Sequence, residues 1–299
     1  MTFGERLTAR VAARESQLVL GLDPDPARLW PEAVEHAPAD GSPAQRAAAA
    51  VRAHCIALVD AAGPACVAVK PQLACFERLG ADGWAALQAV ADHARDAGLL
   101  VIADAKRGDI DVSAAAYAQA LVGTTQTPFG EVAGLGADAF TANPLLGADA
   151  LAPFVDGARA AGAGIFVLVR TSNPGAADVE DLELAAGGRV WERLAALVDG
   201  LEGPGDGLGD IGAVVGATRP EHVARMRELM PRAPFLLPGI GAQGGRVEDL
   251  APAFEAGRAG GLVSASRSIA RAHEQRGGAP RDGARAEAER LREAAWSLA

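Results

Sequence analysis

Short runs rich in Val, Ile, Leu and Ala recur along the chain at residues 17–23, 66–71, 99–104, 137–143, 164–170, 211–217, 234–238 and 260–264, and they leave it few folds to choose from. Each has the length of a buried strand. Between them, residues 44–62, 84–97, 189–201, 220–229 and 246–256 are long enough and suitably patterned for helices. Strands alternating with helices pair in parallel, and eight such repeats close on themselves. The sequence therefore predicts an α/β protein: one (β/α)8 TIM barrel domain over residues 1–299, with a helix at 3–13 capping the N-terminal end of the barrel. A doubly wound sheet would carry a Gly-rich dinucleotide turn after its first strand. Here that strand runs into Gly21-Leu22-Asp23-Pro24-Asp25-Pro26, whose prolines stiffen the loop and remove amide donors. Three loops stand out. Residues 24–42 and 123–136 read as decorations of the active-site face, where βα-loops carry function, and 203–209 as a linker on the opposite face.

A chain of 299 residues buries roughly 75% of its unfolded surface, so it needs no disulfide or metal to hold a core. Aromatic residues make up 4% of it, so small side chains must fill closely approaching elements. The net charge of −10 argues against nucleic-acid or membrane-surface partners, and an anionic small molecule would need a local positive site. Charges at Glu5, Arg6, Arg10, Arg14 and Glu15 rule out a signal peptide at the start, and no later run reaches the ~18 apolar residues of a membrane span. Cys55, Cys66 and Cys75 lack CxxC spacing and read as reduced thiols of a cytoplasmic protein. The five histidines show no metal-ligand spacing, so no metal is expected.

The segment Val101-Ile-Ala-Asp-Ala-Lys-Arg-Gly-Asp-Ile110 carries the most chemistry. Asp104 and Lys106 are two apart at a strand end and point to the same side, into the barrel mouth. Arg107-Gly108 lets the chain turn, and Asp109 follows. Carboxylates favour the ammonium form of a lysine between them, which makes Lys106 a poor Schiff-base nucleophile but a well-placed proton donor. A salt-bridge cluster at a strand end is the plainer reading. Lys70 weakens it: at the end of strand two it lies beside Asp104, and two lysines and two aspartates across one mouth form an array retained only when paired and used.

A second region, Leu236-Leu-Pro-Gly-Ile-Gly-Ala-Gln-Gly-Gly245, follows strand seven, and Val263-Ser-Ala-Ser-Arg-Ser-Ile269 follows strand eight. Barrels commonly bind phosphate there, on backbone N–H groups and a short helix N-terminus. Pro238, Gly239, Gly241 and Gly244 shape the loop, Gln243 offers an amide, and Arg267 can grip two phosphate oxygens. Thr171 and Ser172, after strand five, suit the edge of a heterocycle, and Asp23 suits ribose hydroxyls. Capped turns would explain these residues as well.

Together these motifs resemble the orotidine 5′-monophosphate decarboxylase family. The resemblance lies in DxKxxDI at Asp104, Lys106, Asp109 and Ile110, and in Lys-Pro-Gln at Lys70. It continues in Thr-Ser-Asn-Pro at Thr171, Pro-Gly-x-Gly-Ala-Gln-Gly-Gly at Pro238 and Ser-Arg-Ser-Ile at Ser266, which point to the longer bacterial branch. The resemblance implies a cofactor-free decarboxylase of orotidine 5′-monophosphate in which Lys106 protonates C6 as carbon dioxide leaves and Asp104 sits against the substrate carboxylate. Lys70 would bridge Asp104 and the ribose, Ser172 would contact the base, and Gln243 and Arg267 would hold the phosphate. It further implies a homodimer in which Asp109, Ile110 and Ser113, the last standing where Thr is common, complete the partner's active site. No role is implied for residues 123–136.

Two rivals remain at this level. A metal-dependent sugar-phosphate decarboxylase or aldolase on a related barrel would need a further acidic ligand near Lys70, where the strand reads Ala68-Val69-Lys70. A non-catalytic nucleotide-phosphate sensor would keep Arg267 but has no use for the charged array.

Overall fold

The computed structural model describes residues 1–202, 205–241 and 244–299. Its strands are β1 (Leu18–Leu22), β2 (Ala68–Pro71), β3 (Leu100–Arg107), β4 (Thr124–Thr127), β5 (Gly130–Ala133), β6 (Ala139–Ala142), β7 (Gly164–Arg170), β8 (Ile211–Val215), β9 (Phe235–Leu237) and β10 (Gly261–Ala265). All but β4 and β5 pair in parallel, and β10 returns to β1 to close a barrel of eight strands among the described residues. The helices are α1 (Phe3–Arg14), α2 (Pro31–Glu35), α3 (Pro43–Ala62), α4 (Leu73–Glu77), α5 (Gly80–Asp96), α6 (Asp111–Leu121), α7 (Ala148–Ala160), α8 (Val190–Glu202), α9 (Pro220–Leu229), α10 (Arg267–Ala270), α11 (Ala272–Arg276) and α12 (Pro280–Trp296). The architecture is the expected (β/α)8 barrel.

Strands buried on both faces divide their side chains by period two. Val19, Ile102, Ala139, Phe166, Val214, Leu236 and Leu262 fill the barrel interior, while the alternate residues pack outward on the helices. The interior needs a floor, and α1 supplies it. Thr2 and Glu5 form a capping box that fixes the start of α1, and Phe3, Leu7 and Val11 enter the interior cluster. Phe3 meets Phe166 edge-on at 6.0 Å, and a Cβ on Gly164 would lie 2.3 Å from the Phe3 ring. Only glycine leaves room for this plug.

Two expectations need correction. Residues 247–256 form a 3-10 helix rather than an α-helix, because Pro252 inside it has no N–H to donate and its ring crowds the preceding turn. Residues 123–136 do not decorate the mouth. They connect the end of α6 to the start of β6, so they lie at the N-terminal end of the barrel, where they form the antiparallel hairpin β4–β5. Of the supposed linker 203–209, Gly203 and Pro204 lie outside the described residues. Leu208 and Gly209 lie against α1, on the face opposite the mouth as expected: a Cβ on Gly4 would lie 2.3 Å from the Leu208 carbonyl oxygen.

At the same end, the buried guanidinium of Arg227 donates to the carbonyls of Met230 and Ala233 at 2.8 Å and of Ala253 and Gly260 at 2.9 Å. It thereby joins α9, the approach to β9, the 3-10 helix and the approach to β10. Burial pulls its pKa down to about 10.

Candidate active site

The period-two pattern that fills the barrel with apolar side chains turns polar at its C-terminal end. Inward positions run Ala68, Lys70 and Gln72 on and after β2, Ile102, Asp104 and Lys106 on β3, and Ala139 and Thr141 on β6. Gln72 bridges to Asp104 across β2 and β3, as the neighbouring strands require. Lys70 and Asp104 are 7% and 5% exposed, so their charges must be met inside the protein.

They are met by each other. Lys70 Nζ lies 2.5 Å from Asp104 Oδ2 and Lys106 Nζ lies 2.5 Å from Asp104 Oδ1. Gln72 Nε2 donates to Oδ2 at 3.1 Å, and the Thr141 hydroxyl donates to Oδ1 at 3.0 Å. Burial by itself would raise the Asp104 carboxyl, but the two ammonium groups and their hydrogen bonds outweigh it and hold it well below the usual carboxylate range. Burial likewise pulls Lys70 down, and the charges of Asp104 and then Asp23 more than reverse it.

Lys106 shares the direction of Asp104, but not by a regular pleat. Its φ is +48°, in the left-handed region, and the pairing of β3 with β6 shifts register between Ala103 and Arg107. Such a conformation costs a non-glycine residue ~1–3 kcal/mol and persists only where its surroundings hold it. The holding contact is the Lys106 N–H, which donates to Thr141 Oγ1 at 2.8 Å. The chain turns from β3 into α6 between Arg107 and Asp111; positive φ falls on Lys106 and Asp111, and a Cβ on Gly108 would lie a tight 3.1 Å from that of Asn143.

The structure brings three of the four charged residues together. Asp109 is half-buried, accepts the Ile110 N–H on its Oδ1 at 2.9 Å, and forms no ion pair with any described residue. Ile110 is 53% exposed, and Ser113 is exposed as well.

Beyond β7, Arg170 is buried and forked onto Asp181 at 3.1 and 2.9 Å. Glu180 takes both the N–H and the hydroxyl of Thr171, so Thr171 is committed to its own loop. Ser172 is half-buried with its backbone against Gly216, where a Cβ would come within 2.9 Å. At the other side of the mouth, Pro238 O accepts from Ala217 N at 2.9 Å. Gly239, Gly241 and Gly244 have φ of +105°, +73° and +88°, which only glycine adopts without strain. The N–H groups of Gly241 and Gly244 are not free for a ligand, because they donate to Gly245 O and Gly241 O within the loop. Gln243 lies outside the described residues. Arg267 opens α10 and is exposed, and its guanidinium forms no hydrogen bond or ion pair with a described residue. It lines, with Asp23, a cavity of about 240 Å³.

Sequence reasoning gave Gln72 no role of its own and passed over Thr141, Glu180 and Asp181. Gln72 and Thr141 stand in the same inward register as Lys70 and Ala139, so the period alone could have found them. Among the described residues no group of three or more His, Cys, Asp or Glu is placed to hold a metal ion.

The model of the orotidine 5′-phosphate decarboxylase / HUMPS family matches residues 16–280. The chain is 44% identical over 288 residues to the orotidine 5′-phosphate decarboxylase of Deinococcus radiodurans, covering 95% of this chain and 94% of that one. It is 42% identical to the enzyme of the same description from Haloarcula marismortui, covering 90% and 87%. Among solved structures, Leishmania donovani OMP decarboxylase superposes with a TM-score of 0.74 at 33% identity, over 100% of this chain and 99% of that one.

Proposed function

The chain belongs to the orotidine 5′-phosphate decarboxylase / HUMPS family and converts orotidine 5′-monophosphate to uridine 5′-monophosphate and carbon dioxide in pyrimidine biosynthesis, and we propose that the Lys70, Asp104 and Lys106 cluster is where that reaction runs. The carrying observation is one buried carboxylate clasped by two lysines at the mouth of an otherwise apolar barrel. In the proposed step the bond from C6 to the carboxylate breaks heterolytically, carbon dioxide departs, and the electron pair stays on C6. The Lys106 ammonium stabilises that pair and delivers a proton to it, leaving a neutral amine that water reprotonates. No step in this scheme calls on a metal or cofactor.

The remaining residues bind and orient. Asp23 and Lys70 face the ribose, Ser172 faces the base with Thr171 bracing its loop, and Arg267 with Gln243 grips the phosphate over the loop of Pro238, Gly239, Gly241 and Gly244. Binding energy from the phosphate helps order the loops around the reacting carbon. Asp109, Ile110 and Ser113 act in the partner's site of a homodimer. In support, Asp109 forms no ion pair with a cation among the described residues of its own subunit, and Ile110 and Ser113 are exposed. The whole chain works as one barrel domain in the cytoplasm. Among the described residues, no helix is long and apolar enough to cross a membrane.

Lys106→Ala tests the assignment. Turnover, followed by the loss of orotidine 5′-monophosphate absorbance, should vanish, while uridine 5′-monophosphate still binds by calorimetry. Near-normal turnover would remove Lys106 from the chemistry.

A further inference from the structure

The segment that follows β1 at the mouth, residues 24–42, has no part in the reaction described above. Its first stretch is held stiff. Pro24 and Pro26 each fix a backbone angle, the Arg78 guanidinium donates to the Pro24 carbonyl, and the Arg28 N–H closes a turn onto the Asp25 carbonyl at 2.8 Å. This strut leads from Asp23 to Trp30, which is buried. The Trp30 ring stands edge-on to His54 of α3 at 5.1 Å and to His273 of α11 at 6.4 Å. Its backbone N–H donates to His54 Nδ1 at 3.2 Å. Burial, and then the charge of His273, bring the His54 pKa down to about 4, so near neutral pH the ring is uncharged and Nδ1 is free to accept.

Filling this space would be served by Phe or Leu, but a buried indole N–H also demands an acceptor. It donates to the Ala270 carbonyl at 2.9 Å. Ala270 is the last residue of α10, a helix of four residues that Arg267 opens. The backbone leaves the helical ladder at Arg271, with φ −114° and ψ 15°, and a helix end presents carbonyls that the helix cannot satisfy by itself. A single turn is too short to hold its own shape in water. Ile269 pins one side of it in the core, and the indole fixes its end. Asp23, Trp30 and Arg267 line one cavity, so the strut, the ring and the turn meet at one place. We propose that Trp30 is a positioning residue for the phosphate grip: its indole N–H sets the turn that carries Arg267, and the stiff stretch 24–30 keeps that turn in register with Asp23. The inference rests on the reading of Arg267 as the phosphate clamp.

The test is calorimetric binding of uridine 5′-monophosphate and of uridine to the full chain and to Trp30→Phe, Arg267→Ala and the double variant. Trp30→Phe keeps a ring against the two histidines and removes the donor. It should raise the dissociation constant of uridine 5′-monophosphate about three- to tenfold and leave that of uridine within about twofold. In the Arg267→Ala background the same substitution should cost no more than about twofold, because the clamp it positions is gone. His54→Leu withdraws the acceptor of the Trp30 N–H from another helix and should give the same selective loss, so the inference stays open to test if Trp30→Phe folds poorly. A nucleotide affinity within about twofold of wild type in Trp30→Phe, or an equal loss for both ligands or in both backgrounds, overturns the inference and leaves Trp30 as packing. Those results would leave the phosphate reading of Arg267 standing. Equal losses of nucleotide and nucleoside in Arg267→Ala would refute that reading, and the inference with it.

Discussion

Thr141→Val removes the hydroxyl between Asp104 and Lys106 while keeping its volume. The hydroxyl donates to a buried carboxylate at 3.0 Å and accepts the Lys106 N–H at 2.8 Å. A hydrogen bond to a charged group is worth ~1.5–3 kcal/mol, and an N–H left without an acceptor costs ~1–3 kcal/mol. The left-handed backbone of Lys106 stores a strain of the same size, ~1–3 kcal/mol, so losing the tether lets the residue relax and carries Nζ away from C6. If ~1.5–3 kcal/mol of this appears in the barrier, kcat falls roughly 10- to 150-fold. The affinity for uridine 5′-monophosphate should change by less than about threefold, because the phosphate and ribose contacts lie elsewhere. Steady-state decarboxylation and calorimetry on the same preparation read both quantities. Thr141→Ser keeps the hydroxyl and should stay within about threefold of wild type in kcat. A Val variant with wild-type kcat, or one that loses nucleotide binding as much as turnover, would refute the positioning argument.

Arg267→Ala should weaken uridine 5′-monophosphate by ~1.5–3 kcal/mol and leave uridine nearly unaffected, since a charge-assisted pair needs the phosphate; equal losses by calorimetry would mark a structural arginine. Arg227→Met leaves buried carbonyls without a donor and should cost about 3–5 kcal/mol, roughly 5–8 °C in thermal melting, and an unchanged Tm would show that the carbonyls find other partners. Mixing Lys106→Ala with Asp109→Ala subunits and letting them exchange should restore about a quarter of wild-type activity, because about half the dimers are hybrids with one intact site. No recovery, with exchange shown by labelled subunits, would place Asp109 in its own subunit's site.

The barrel was legible because its signal is local and repeated. Each strand is a short Val/Ile/Leu/Ala run, and buried parallel strands read that way wherever they occur. Asp104, Lys106 and Lys70 were legible for a related reason: period two sets their direction, and neighbouring strands bring them together. What escaped depends on distant contacts. Nothing in Ala-Lys-Arg-Gly signals a positive φ at Lys106; a threonine 35 residues on imposes it. Asp181 reaches back eleven residues to Arg170, and no spacing rule connects them. The 3-10 helix and the hairpin are different. Pro252 stands in the sequence, and the Thr-rich Thr-Thr-Gln-Thr and the Gly-Glu-Val-Ala segments flank a Pro-Phe turn. Those two were readable from the chain itself.

The donors around Asp104 also bear on how it acts. A carboxylate offers about four acceptor positions, and here Lys70, Gln72, Lys106 and Thr141 occupy them. Its charge is thus engaged by two ammonium groups before any substrate arrives. An incoming carboxylate would meet a trio of net charge +1, which attracts it more than the single aspartate repels it. With the substrate carboxylate in place the reacting centre sums to zero. When carbon dioxide leaves, the negative charge moves to C6 and the sum is unchanged. When Lys106 gives up its proton, the carbon and the lysine become neutral together, and Lys70 and Asp104 remain as a matched pair. Among Lys70, Asp104, Lys106 and the substrate, the net charge of +1 before binding is thus cancelled on binding and stays cancelled, which avoids the net buried charge that low-dielectric interiors penalise. Replacing Asp104 by Asn would break that balance by one unit at every stage. On the proposed scheme, the four donors make Asp104 the counter-ion that positions Lys106 before substrate binds.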